Sequence, residues 1–296
     1  MKTHRKTVII AAAVLVVAGI ALAIGHISKK DKEAESPTPT TPLVKPLNIS
    51  IMLDLSDRLI HTDVNNATPQ WERDTTIIGY LCDAFIDRQA KNKIQTGDRI
   101  RVFCYPYPQI NGIRQMSDSL NVDLALDHGK GKMSAVQQNK KTLLEMRSTW
   151  SRSLSAIYDA SVPLAKGSEG SDVWGFFDRF ASKQCIDANC RNILVIFTDG
   201  YLYHPSTWQK TPDGEHTGIS PLTINAQKSI KSISSSLSGL EVLFLEVNPK
   251  KPSDFGKMNS LLSDWCHGMG IEHVDIIPTD MPSNNRRAII DFVFGK

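Results

Sequence analysis

Three oxygen-bearing side chains crowd into four positions at Asp54, Ser56 and Asp57, within the stretch Leu53-Asp54-Leu55-Ser56-Asp57-Arg58. Carboxylate and hydroxyl oxygens are the donors that a hard divalent cation such as Mg²⁺ takes. Ile49, Ile51, Met52 and Leu53 precede them, an apolar, β-branched run that reads as a strand buried on both faces. A second stretch has the same form: Ile193-Leu194-Val195-Ile196-Phe197 leads into Thr198-Asp199-Gly200. In an open α/β sheet the carboxyl ends of parallel strands form the crevice where ligands bind. Two strands that each end in Asp can therefore aim both carboxylates at one point.

These residues resemble the metal-ion-dependent adhesion site of the von Willebrand factor A (vWA) family. That site combines D-x-S-x-S after the first strand, a Thr or Ser in a later loop, and an Asp ending the fourth strand. Asp54 and Ser56 match the first part and Thr198-Asp199-Gly200 the last, while Gly170-Ser171-Asp172-Val173 is similar to the family's G-T-D-[IV] loop. The resemblance implies that Ser56 and Ser171 ligate an ion directly, with Asp54 and Asp199 in either shell. Asp172 either caps a helix or takes part in the outer shell. The last position of D-x-S-x-S is Arg58, which removes one hydroxyl and sets a permanent cation beside the site. Either a metal binds through the other oxygens, or the guanidinium pairs with Asp54 or Asp199 and leaves the site metal-free. Arg58 is also a candidate to meet an anionic ligand itself.

The loop after Asp199 carries Tyr201, Tyr203 and Trp208 and runs to Gly218. Tyr and Trp on a rim are good binding anchors, unless the loop folds them back onto its own scaffold. Asp57 reads as a surface acid, and Glu246, ending a neighbouring strand, as a loop residue. The segment 129–134 lacks the spacing of a phosphate loop and follows no strong strand.

The elements that must position these groups alternate strand and helix, which argues for a parallel sheet with helices on both faces. Strands are expected at 48–54, 99–105, 192–198, 240–247 and 271–277, with a weak edge strand near 113–116. Helices are expected at 69–91, 134–165, from Ser171 or Asp172 through Phe180, at 223–237, 253–265 and 283–294. The fold class expected is α/β, a doubly wound and mostly parallel sheet, vWA or Rossmann-like. The resemblance covers 47–296 and implies one short antiparallel edge strand.

Ahead of that domain, a basic leader (1–6) precedes an uncharged apolar run (7–25) about as long as the ~20 residues a membrane-spanning helix needs. Ala21-Leu22-Ala23 offers the alternative of a cleaved signal peptide. Residues 26–46, with Ser36-Pro37-Thr38-Pro39-Thr40-Thr41-Pro42, have a linker's composition. The expected location is a single-pass membrane anchor with the domain outside the cytoplasm, periplasmic or extracellular. Of five cysteines, Cys185 and Cys190 are close enough in a polar loop for a local disulfide, with two free thiols as the alternative. A net charge of +3, without a Lys/Arg run interleaved with aromatics, gives no case for nucleic acid.

The expected function is a membrane-tethered binding module with no catalysis of its own. By the resemblance, Mg²⁺ (or Mn²⁺ or Ca²⁺) on Asp54, Ser56, Ser171 and Asp199 keeps one position open for an acidic side chain of a protein partner. Arg58, Asp172, Tyr201 and Tyr203 would serve ligand binding around it. One alternative is a Mg²⁺-dependent phosphohydrolase, although the residue two after Asp54 is Ser56 and not the second Asp of that chemistry. The other is a metal-free structural subunit of an envelope assembly.

Overall fold

The computed structural model describes residues 45–60, 68–94, 97–105, 112–125, 132–167, 170–203 and 216–295. The expected anchor (7–25), nearly all of the linker, and the loop residues His204 and Trp208 lie outside them. Among the described residues no helix is long and apolar enough to cross a membrane.

Six strands form a mixed but mostly parallel sheet: β1 (Leu47–Leu53), β2 (Arg99–Cys104), β3 (Val122–Asp123), β4 (Arg191–Phe197), β5 (Leu240–Val247) and β6 (His273–Pro278). Their order across the sheet is β3-β2-β1-β4-β5-β6, with β3 alone antiparallel. Strand order thus reverses between β1 and β4, which lie side by side with Leu53 opposite Phe197. In such sheets the crevice at the carboxyl ends opens at that reversal.

Each face of the sheet carries its own core. On one side Ile49, Ile51, Leu53, Val195 and Leu243 pack with helices α1 (Gln70–Lys91), α3 (Lys132–Ser161) and α6 (Pro282–Phe294). On the other, Met52, Leu194, Ile196, Val242 and Phe244 meet α4 (Val173–Phe176) and α5 (Phe255–Gly268). Burial on both faces matches the apolar runs Ile51–Leu53, Ile193–Phe197 and Val242–Leu245, while the buried Asn48 and Asn192 side chains hydrogen-bond to each other.

Three expectations are corrected. The stretch expected as an edge strand is a helix, α2 (Ile113–Asp118), because Gly112, at φ +84°, turns the chain and burial falls on Ile113 and Ser117, four apart. The antiparallel strand comes next, as β3. The stretch expected as a helix at 223–237 is a turn at 221–226 followed by irregular chain. Ile230, Ile233 and Leu237 are buried at helical spacing, but Ser229, Ser232, Ser234, Ser235 and Ser236 compete for the backbone hydrogen bonds. The helix after Asp172 continues beyond Phe176 as a π-helix, Phe177–Cys185. Of the two alternatives open for Cys185 and Cys190 the structure has free thiols, as at all five cysteines: Cys185 is buried at the end of that π-helix, while Cys190 faces Arg99.

Candidate functional site

The site grows out of the adjacency of β1 and β4. The Asp54 N–H donates to Phe197 O at 3.1 Å, which continues the sheet one residue past β1. Its carboxylate, buried at 1% exposure, then holds two turns: Oδ1 accepts the Ser56 N–H at 2.9 Å and Oδ2 the Thr198 hydroxyl at 3.1 Å. Thr198 Oγ1 in turn accepts the Gly200 N–H at 3.2 Å. On the far side the Thr198 N–H reaches Leu245 O at 3.1 Å, so the turn carrying Asp199 is pinned between two strands. Asp199 Oδ1 accepts the Tyr201 N–H at 2.9 Å.

Ser171 comes from the loop just ahead of α4. Gly170, at φ +104°, lies so close to Tyr203 that a β-carbon there would stand 2.2 Å from its carbonyl oxygen. That close approach presses the loop of Ser171 against the chain following Asp199. Ser56, Asp57, Gly170, Ser171, Asp199, Tyr201 and Tyr203 consequently line one cleft of about 590 Å³, together with the 220–223 turn and Lys250.

Three of the four sequence-derived metal ligands, Ser56, Ser171 and Asp199, face this cleft. The fourth, Asp54, is buried and orients the turns of Ser56 and Asp199. The Ser171 hydroxyl is buried and has no hydrogen-bond partner among the described residues. An unsatisfied buried hydroxyl costs about 1–3 kcal/mol, and a ligand in the cleft would satisfy it. Burial, with the Asp54 carboxylate nearby, pushes the Asp199 carboxyl up to about 7, against the Tyr201 N–H and Arg58, which favour its anionic form. A cation beside it would reverse that shift. Two hydroxyls and a carboxylate make an oxygen donor set that fits Mg²⁺, which keeps several waters and takes few protein ligands. Among the described residues no three His, Cys, Asp or Glu side chains form a metal-binding group. The donors here are hydroxyl-rich instead.

The remaining candidates are placed differently. Arg58, 2% exposed, turns away from the cleft: its Nε donates to Asp54 O at 2.9 Å, and its Nη atoms meet Asp74 at 3.5 and 2.5 Å. Its nearest approach to the Asp54 carboxylate is 3.9 Å, so the pairing expected with Asp54 or Asp199 is made chiefly with Asp74 on α1. Burial alone would lower the Arg58 pKa, but the Asp74 and Asp54 carboxylates outweigh it and raise it above its ordinary value. Asp172 caps α4, accepting the Gly175 N–H at 3.0 Å, and pairs with Arg179 at 2.6 Å. Tyr201 is largely buried, its hydroxyl accepting the Lys250 N–H at 2.9 Å, whereas Tyr203 is half-buried on the cleft wall.

Behind the site lies a buried polar network that sequence reasoning missed. Asp74 also accepts from Tyr158 at 3.0 Å and from Gln70 at 3.0 Å. Gln70 and Arg73 converge on Glu246 Oε2 at 2.6–3.0 Å. Glu246, expected as a loop residue, is the bulge of β5: register slips between Leu245 and Val247, φ reaches +66°, and the side chain is driven inward. Burial raises its pKa, with the Arg73 guanidinium opposing. Lys250 was also missed as a cleft residue, and Asp57, read as a surface acid, lines the cleft with it. Their signal was position alone, since both follow carboxyl ends of strands in the sheet. No family model matches the chain, and no curated protein matches it.

Proposed function

We propose that the domain is a vWA-like binding module, doubly wound and without catalysis of its own. It would engage a protein partner through a divalent cation, Mg²⁺ by its donor set, held by Ser56, Ser171 and Asp199. Asp54 orients two of them, Ser56 and Asp199, through the Ser56 N–H and the Thr198 hydroxyl. Three protein oxygens leave positions for water and for an acidic side chain from the partner. The observation that carries this reading is the orphaned, buried Ser171 hydroxyl in the same cleft as Ser56 and Asp199. The vWA resemblance gains support from the strand order and the short antiparallel edge strand β3. Arg58 supports it too, since its pairing with Asp74 leaves Asp199 and the two serines to an ion.

The same proposal keeps the chain at a membrane through residues 7–25, with the module outside the cytoplasm. Isothermal titration of the full chain in detergent with Mg²⁺ and with Mn²⁺ tests the cation. Saturable binding that is lost in Ser171→Ala is expected. Heats no greater than dilution for both ions would remove the reading.

A further inference from the structure

Part of the cleft wall is a turn built to hold still. Ile219 and Ile224, both at 0% exposure, bury its two flanks. Between them the Ser220 N–H meets Thr223 Oγ1 at 3.3 Å and the Ile224 N–H meets Ser220 O at 3.1 Å. Gln227 Nε2 ties Gly218 O at 2.8 Å and Ser229 O at 3.0 Å, while Asn225 Nδ2 reaches Asp254 Oδ1 at 3.3 Å. At the tip of this braced turn Leu222 is 96% exposed and, with Pro221, lines the cleft. An aliphatic side chain held out on a fixed turn offers apolar area that burial against a partner would favour. Lys250 lines the same cleft and is exposed, its backbone fixed to the Tyr201 hydroxyl.

We infer that this rim selects an acidic and aliphatic segment of a partner protein. One carboxylate of the segment takes the ion, a neighbouring aliphatic side chain covers Leu222 and Pro221, and a second carboxylate meets Lys250. The inference rests on the ion-dependent reading above and adds the sequence character of the partner to it. Charge argues for where each acid goes. A doubly charged ion offsets Asp57 and Asp199 and takes the first carboxylate, while Lys250, exposed on the same wall, gives a second one a cation of its own. Interfaces of this kind depend on a few anchors, and Leu222 and Lys250 are anchors whose loss would leave the core untouched.

The test titrates three capped peptides, Gly-Leu-Glu-Glu-Gly, Gly-Ala-Glu-Glu-Gly and Gly-Leu-Glu-Gln-Gly, into the Leu-methyl-labelled full chain in detergent with Mg²⁺. The first peptide is expected to shift the Leu222 methyl resonances, and the other two to bind about five- to tenfold more weakly. The loss caused by Ala should vanish in Leu222→Ala, and the loss caused by Gln in Lys250→Gln. Equal binding of the three peptides, while Mn²⁺ still broadens cleft resonances, would overturn the inference and leave the ion site standing. Absence of both Mn²⁺ broadening and peptide binding would overturn the two together.

Discussion

The Thr198 hydroxyl donates to Asp54 Oδ2 at 3.1 Å, joining residues 144 positions apart in the chain. The contact exists because β1 and β4 are neighbours at the point where strand order reverses. The other oxygen of the same carboxylate holds the Ser56 N–H. One buried acid thus sets the orientation of two turns, and those turns present Ser56 and Asp199 to the cleft.

Gly170→Ala is expected to damage the site more than the fold. The new β-carbon would meet Tyr203 O, at a backbone φ that alanine disfavours, so the Ser171 loop must move. A stability loss of about 1–3 kcal/mol is expected. Cation binding should fall further than that loss explains, as thermal melts paired with Mn²⁺ titration would show.

The pair of Arg58 and Asp74 is buried, so breaking it leaves a lone charge. Asp74→Ala or Arg58→Ala should each cost about 3–5 kcal/mol in urea unfolding. The double change Arg58→Met with Asp74→Leu should recover a large part of that loss, since two apolar side chains leave no unpaired charge. A double variant as unstable as the sum of the single ones would show that the network gives more than mutual neutralisation.

Ion-free stability should depend on pH through Asp199. Burial and Asp54 push its carboxyl up to about 7 in the native protein, against ~3.9 for an unperturbed Asp. Between these values the native state holds a proton that the unfolded chain has released, so stability falls as pH rises from about 4 to 7 and stays low above it. Asp199→Asn should abolish this fall and exceed wild type in stability near about pH 8 in chelator. Added Mg²⁺ should stabilise wild type there and leave the Asn variant unmoved, measured by urea midpoints.

The thiols offer a separate check. Cys82, Cys104, Cys185 and Cys266 are buried, and burial pushes Cys82 and Cys104 to about 12 and Cys185 to about 11. Cys190 is partly exposed. A disulfide reagent at neutral pH should label Cys190 first in the native chain, and all five thiols after denaturation. Three thiols in the unfolded protein would instead reveal a Cys185–Cys190 bridge.

The sheet was legible in the sequence wherever burial wrote the pattern. Ile51 to Leu53 and Ile193 to Phe197 are apolar because both faces are covered, and each run leads to the acid that serves the site. The chain from Ile224 to Leu237 misled because its buried residues share a helix's spacing while its serines favour irregular backbone. Arg58 could be recognised as a departure, but its partner could not: Asp74 lies a helix away and shows no local signal. Glu246 was hidden for a different reason, since a bulge that turns one residue inward leaves the strand's composition unchanged. The cleft residues Leu222 and Lys250 lie in loops, where periodicity says nothing.

Counting bound Mn²⁺ on the full chain by electron paramagnetic resonance tests the account most directly. It predicts one saturable site that Ser171→Ala and Asp199→Asn each abolish, and that Asp172→Asn retains, because that residue caps α4 and does not line the cleft. A bound ion indifferent to Ser171 and Asp199, or no bound ion, would contradict it.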